Sequence, residues 1–426
     1  MSASATRNPA SAVEAVWRRE AARVIASLTR ITRDVGVAED LAQDALLAAI
    51  RTWPETGVPD NPGAWLVSAG KRLAIDHHRR QRMIASKEDE LAFGSPGVVE
   101  SNAIEESIDD ALGDDVLRLV YIACHPVLSM DARVALTLRL LCGLSTDEIA
   151  RAFLVPSTTI GQRIVRAKRT LADASVPFEL PRGDELAPRT ASVLRVVYLV
   201  FNEGYAATSG DDLIRADLCA EAIRLGRLLV GLVPDDTEVS GLLALMELQS
   251  SRAAARVDAE GRPTLLLDQD RSLWDRDAIH RGLGLLVRAQ LRGGHGPYVL
   301  QAEIAACHAR ASRAEDTDWH RIAARYGELA QLTPSSVIEL NRAIAVSMAE
   351  GPAAGLAILD GLLEDPVLAR YHLLPAARGD LLEKLGRAAE AQVEFERAAA
   401  NATHPREREL MRDRAARCED DAAKDA

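Results

Sequence analysis

Aromatic residues are scarce in this chain. They make up 4% of its 426 residues, although 48% of the residues are hydrophobic. Alanine and leucine supply much of the apolar content, and β-branched runs are few. Sheets fill their faces with β-branched and aromatic side chains, so the composition argues against them and for packed helices, an all-α protein. Cysteine is also scarce. Cys124, Cys142, Cys219, Cys307 and Cys418 lie far apart without a C-x-x-C spacing. That excludes a disulfide framework and a zinc ribbon. The pairs Cys124-His125 and Cys307-His308 read as buried thiols beside unrelated histidines, so neither a metal nor a cofactor is expected. No apolar run approaches the roughly 18 residues that a membrane span needs, and the first residues lack a basic-then-apolar leader. A cytoplasmic protein without a membrane partner is the expectation. Positive charge is in deficit, with a formal net charge of -12. Affinity for duplex DNA comes mainly from neutralising phosphates, so an acidic chain is poorly suited to binding DNA unaided.

Two stretches nevertheless concentrate positive charge. "KRLAIDHHRRQR" (71–82) carries +4, and "STTIGQRIVRAKRT" (157–170) carries +4 through Arg163, Arg166, Lys168 and Arg169. Two such islands in a chain of -12 leave -20 on the remainder. Local DNA contacts within a larger assembly would produce this segregation.

Apolar periodicity and breakers divide the chain. Residues 1–12 read as a disordered tail, and helices are expected over 13–33, 38–53 and 64–83. A turn at "DVG" (34–36) and a proline-rich loop, "PETGVPDNPG" (54–63), separate them. An acidic linker spans 86–112, a compact helical domain 113–175, and "SVPFELPRGDELAP" (175–188) forms a second boundary. Everything beyond reads as a helical extension over 189–418. Towards its end, "GPAAGLAILDGLLEDP" and "GRAAEAQVEFERAAANATHP" repeat with a period of 35. Gly386, Ala391, Phe395 and Ala398 fall where tetratricopeptide repeats place packing residues, a pattern that plain antiparallel helices could also produce.

"LSTDEIARAFLVPSTTIGQRIVRAKRTL" (144–171) reads as helix-turn-helix. Ser145 and Glu148 form a capping box for the first helix, with Ile149 and Phe153 on its apolar face. Ser157 is placed to cap the second, whose Ile160, Ile164 and Leu171 point inward. Thr158, Thr159, Gln162, Arg163, Arg166 and Arg169 remain on open faces, where they can read base edges in a major groove and hold phosphates. A carboxylate among them would repel phosphate, which accounts for the acid-free run.

The order "AEDLAQDALLAAI", "NPGAWLVSAGKRLAIDHHRR" and then this motif resembles the extracytoplasmic-function sigma factors of bacterial RNA polymerase. The first part is similar to their region 2 (13–85) and the helix-turn-helix domain to region 4. "YLVFNEGYAATSG", "EVSGLLALMELQSSRAAAR", "DQDRSLWDR", "GPYVLQAEIAACHA" and "ELNRAIAV" resemble the subgroup with a long helical, tetratricopeptide-like C-terminal extension. The resemblance implies a sigma factor that binds core polymerase and directs it to promoters, with an extension that modulates activity and takes a protein partner. It places Asp40, Gln43, Asp44 and Leu47 against the clamp helices of the polymerase's largest subunit. It puts a pocket for a flipped -10 base between Trp53 and Asn61, with Lys71, Arg72, Arg79 and Arg80 on the phosphates nearby and Trp65 in the core. Leu154 stands where these motifs commonly carry glycine, and Gly161 where a basic residue is usual. The alternative is a one-component helix-turn-helix regulator with a repeat sensor, which leaves residues 38–83 without a role. An enzyme is not expected. Glu203, Asp268, Asp270 and Asp275 come without a nucleophile–base pair or metal spacing.

Overall fold

The computed structural model describes residues 9–90, 111–153, 155–205, 215–258, 263–402 and 405–425. The expected tail through residue 8, the middle of the acidic linker and Leu154 lie outside them. Among the described residues every regular element is helical, and the one β-type pairing is an isolated bridge between Val257 and Pro263. The chain divides into two compact units, Met1–Leu199 and Val200–Ala426.

The first unit begins with α1 (Pro9–Thr32), α2 (Val35–Thr56) and α3 (Pro62–Glu90). Trp17, Ala21, Val24, Ile25 and Leu28 put the apolar stripe of α1 inside, and the helix packs on α2, α3 and α4. The turn after α1 comes one residue earlier than its sequence suggested. Arg33 takes a left-handed backbone (φ 57°), and Asp34 caps α2 by accepting from the Val37 amide at 2.9 Å. Gly36 therefore lies inside the helix. The proline-rich loop is also shorter than expected. Helix α2 runs through Pro54 to Thr56, closing with the Gly57 amide on the Trp53 carbonyl at 2.9 Å, and α3 starts at Pro62. Pro54 has no amide to donate back along the helix, so α2 runs on past one lost backbone bond and ends within a turn of it.

The chain continues with α4 (Ala111–Ala123), α5 (Met130–Leu140), α6 (Thr146–Phe153) and α7 (Ser157–Asp173). Helix α1 packs on α4 and α5, and α2 meets α7, so the two helical groups share one compact body. The following helix, α8 (Leu186–Tyr205), begins in this unit. Thr190 and Tyr121 share a buried hydroxyl hydrogen bond of 2.7 Å, and Ser192 Oγ donates to the Cys124 carbonyl at 2.9 Å.

The second unit starts with the end of α8 and continues through α9 (Ala216–Leu232), α10 (Thr237–Ser250), α11 (Arg276–Leu291) and α12 (Pro297–Arg310). Helix α10 is buried on all sides from Val239 to Leu248, packed by α9, α11 and α12. A Cβ on Gly241 would stand 2.7 Å from the Val299 amide nitrogen, so glycine sets the close approach of α10 and α12. Antiparallel pairs follow: α13 (Trp319–Leu332), α14 (Ser336–Glu350), α15 (Pro352–Asp360), α16 (Leu373–Lys384), α17 (Ala388–Asn401) and α18 (Pro405–Asp425). Ala391, Phe395 and Ala398 are fully buried there, and Gly386 turns the chain with φ 74°.

Candidate nucleic-acid interface

Helices α6 and α7 form the helix-turn-helix. The capping box closes as its residues predict: the Ser145 amide donates to Glu148 Oε2 at 2.8 Å, and the Glu148 amide to Ser145 Oγ at 3.2 Å. Arg18 of α1 also pairs with Glu148. Burial tends to raise the Glu148 carboxyl, but the Ser145 hydrogen bonds and the Arg18 charge hold it below the ordinary glutamate value. The second cap differs from expectation. Pro156 occupies the N-cap of α7 without a side-chain bond, and Ser157 Oγ instead donates to Asp147 Oδ1 at 2.6 Å, tying the start of α7 back to α6. Proline has no amide to lose at this position and its fixed φ suits helix entry.

Ile160, Ile164, Ala167 and Leu171 form the buried stripe of α7. Thr158, Thr159, Gln162, Arg166 and Arg169 are exposed, and Arg163 is half-buried. Sequence reasoning overlooked Val165, which is 65% exposed on this outer surface. It is the kind of apolar group that meets a thymine methyl, and its position outside the Ile160–Ile164–Ala167 register was the available signal. A cleft of about 430 Å³ opens between this face and the start of α5, with Ser129, Asp131, Thr159, Gln162, Arg163 and Arg166 in its wall. Arg163 pairs with Asp131 at 3.1 Å, and Arg169 with Asp173 of its own helix at 3.5 Å.

Lys168 departs from the basic outer face. Its ammonium reaches across to Glu39 of α2 and lies 3.5 Å from Asp40. Arg139 of α5 bonds the same Glu39 through Nε at 2.6 Å, and the Gln43 amide joins them. Glu39 is 3% exposed. Burial alone would raise its carboxyl, but the two cations and their hydrogen bonds outweigh that, so it titrates below the ordinary value of 4.5. Glu39 carries no signal in the sequence, because its charged partners, Arg139 and Lys168, are a hundred residues or more away.

The outer face of α2 presents Asp40, Asp44 and Leu47 to solvent, with Gln43 half-buried and bound to Glu39. Helix α3 exposes Arg72, Arg79 and Arg80, while Lys71 is half-buried. Between these helices, Asn61 Oδ1 accepts the Ala64 amide at 3.1 Å and so caps α3. Trp53 is buried and meets the half-buried Trp65 edge to face, with ring centroids 5.4 Å apart.

Three of the acidic residues singled out in the second unit have structural partners. Asp270 accepts the Ser272 amide, Asp275 caps α11 through the Asp277 and Ala278 amides, and Glu203 pairs with Arg215. All five cysteines are buried and unbridged, and burial pushes the Cys124 thiol up to about 11. Among the described residues no group of His, Cys, Asp and Glu could hold a metal, and no helix is long and apolar enough to cross a membrane.

Known protein families match the two segments that carry these faces. Residues 16–83 match Sigma-70 region 2 and residues 118–171 match Sigma-70 region 4. An uncharacterised protein of Rhizobium meliloti is 44% identical over 390 residues, 92% of each chain. A probable extracytoplasmic-function sigma factor of Mycobacterium tuberculosis, SigI, is 27% identical over 164 residues, 38% of this chain and 56% of that one. The chain belongs to the extracytoplasmic-function sigma factors. BldN, such a sigma factor from Streptomyces coelicolor, is 30% identical over 138 residues, 32% of this chain and 49% of its own. The chain thus spans about half the length of these two relatives. Residues 189–290 match a family of unknown function, DUF6596, which carries this sigma factor beyond region 4. No solved structure matches.

Proposed function

We propose that this sigma factor engages core RNA polymerase through the Asp40, Gln43, Asp44 and Leu47 face of region 2. Region 4 reads the -35 element through Thr158, Thr159, Gln162, Arg163, Arg166 and Arg169. Lys71, Arg72, Arg79 and Arg80 hold -10 DNA, and the flipped base sits between Trp53 and Asn61. The observation that carries this reading is the division of charge over one compact unit, with carboxylates outside on α2 and cations outside on α3 and α7. Carboxylates and amides suit arginines of a protein partner, and guanidiniums suit phosphates and guanine edges. The chain works as a non-enzymatic factor in the cytoplasm, and the extension modulates its activity through a protein partner.

Core-enzyme capture by wild type and by the double variant Asp40→Arg, Asp44→Arg tests the first assignment. The variant loses core binding while keeping its helical content; undiminished capture removes α2 from the interface. A duplex gel shift without polymerase separates this reading from a one-component regulator. The sigma factor alone gives weak binding, because its net charge of -12 opposes phosphate.

A further inference from the structure

The acid-free face of α7 has an acid beside it after all, supplied by a different helix. Asp131 sits in the first turn of α5, next to its N-cap Ser129, and its Oδ2 lies 3.1 Å from Arg163 Nη2. The Asp131 side chain is 71% exposed, whereas that of Arg163 is 28% exposed. Arg169, on the same helix, is 81% exposed, and its ion pair among the described residues is with the i+4 carboxylate of Asp173. Arg163 is therefore the outer-face cation of α7 that is drawn in and held from across the cleft.

We propose that Asp131 is a positioning residue for promoter reading: it fixes the guanidinium of Arg163 and thereby sets which base edge that arginine reads. A guanidinium has five N–H donors in a planar fork. The Asp131 ion pair runs through Nη2, so Asp131 does not hold the other nitrogens. A bidentate contact to guanine O6 and N7 depends on the orientation of that plane, and a free arginine samples many orientations. Asp131 also carries a cost. Its charge stands close to the helix that meets the phosphates, and that repulsion weakens every sequence alike. The two effects have different signatures, because removing Asp131 strengthens general affinity for DNA and flattens preference at one base.

The inference rests on the sigma-factor reading, and its test is made on the holoenzyme reconstituted from the full chain and core polymerase. Binding is measured to promoters carrying each single-base change in the -35 element, for wild type, Asp131→Ala, Asp131→Asn, Arg163→Ala and the double variant Asp131→Ala, Arg163→Ala. Arg163→Ala and Asp131→Ala should flatten the same position, each by roughly tenfold in discrimination. The double variant should lose no more than Arg163→Ala alone, because Asp131 acts through Arg163. Asp131→Asn, which still offers Arg163 an acceptor, should retain part of the preference. Stronger binding of Asp131→Ala with preference intact at every position would overturn the proposal and leave Asp131 as a bulk charge. Flattening at a position that Arg163→Ala leaves intact would also overturn it, since Asp131 would then read a base itself. Wild-type preference reports on promoter reading as such and the differences between variants on Asp131, so the two readings fail separately.

Discussion

Gly161 shows how a single residue can be suboptimal for its element. It lies inside α7, where glycine costs about 1 kcal/mol relative to alanine, and the nearest atom a Cβ would meet is Thr146 Cγ2 at 3.8 Å, an ordinary contact. Gly161→Ala should stabilise region 4 by about 0.5–1 kcal/mol, read as a rise in the urea midpoint; an unchanged or lower midpoint would mean that the turn needs glycine's freedom. His308 carries an opposite liability. Its burial and the charges of Arg252 and Arg271 lower its pKa from 6.5 to about 4. A depressed histidine favours the unfolded chain as it protonates. Its contribution is therefore whole above 6.5 and falls away as pH drops toward 4. Between pH 7.5 and 5, protection of α12 and α13 against hydrogen exchange should fall by about 1–2 kcal/mol more in wild type than in His308→Gln. Equal losses would show that His308 does not titrate in this window. Neither neighbourhood was fully legible in the sequence. The capping box of Ser145 and Glu148 was, because its partners lie three residues apart. The roles of Lys168 and Asp131 were not, because their partners belong to other helices and only folding brings them together.

At the scale of elements, the informative contact is the one joining α2 to α5 and α7. An acidic linker read from sequence leaves the spacing of regions 2 and 4 open, yet Glu39 is gripped by Lys168 and Arg139 from the region 4 side. Removing one member of a buried ion group is costly because the others lose their counter-charge in a poorly solvated place. Glu39→Gln should destabilise the packing of α1–α3 on α4–α7 by about 2–4 kcal/mol, seen as faster hydrogen exchange in α2 and α7. Exchange unchanged in both helices would show that the apolar contacts of α1 with α4 suffice. Acid should mimic the variant. The Glu39 carboxyl is depressed, so its contribution is full above 4.5 and is lost as pH falls through its folded value. The element types themselves were readable, since α6, α7 and the last helices follow from apolar period, and α6 from its capping box as well. The ends of α2 were misjudged. Asp34 rather than Gly36 sets its start, and Pro54 does not end it.

For the whole molecule, the question is what the second unit contributes, and the structure changes how it must be asked. A cut at Val176, at the proline-rich boundary, looks natural in sequence. It would remove Phe178 and the start of α8, with the Thr190 hydroxyl that bonds Tyr121 and the Ser192 hydroxyl that caps the Cys124 carbonyl, both buried. Leaving those partners unsatisfied costs about 1–3 kcal/mol each, apart from the apolar surface uncovered on α4. A fragment of residues 1–176 should therefore aggregate or melt well below the full chain, and its failure to transcribe would say nothing about the extension. A fragment ending at Leu199, where the compact units divide, keeps these contacts and should stay soluble and bind core polymerase. The relative from Rhizobium meliloti aligns over 92% of both chains, so the extension accompanies regions 2 and 4 as one protein rather than as a chance fusion. On that basis the 1–199 fragment should lose promoter-specific transcription while retaining core capture. A gain in transcription would make the second unit an inhibitor of regions 2 and 4. Wild-type output, with an unaltered response to the inducing signal, would remove the extension from initiation altogether.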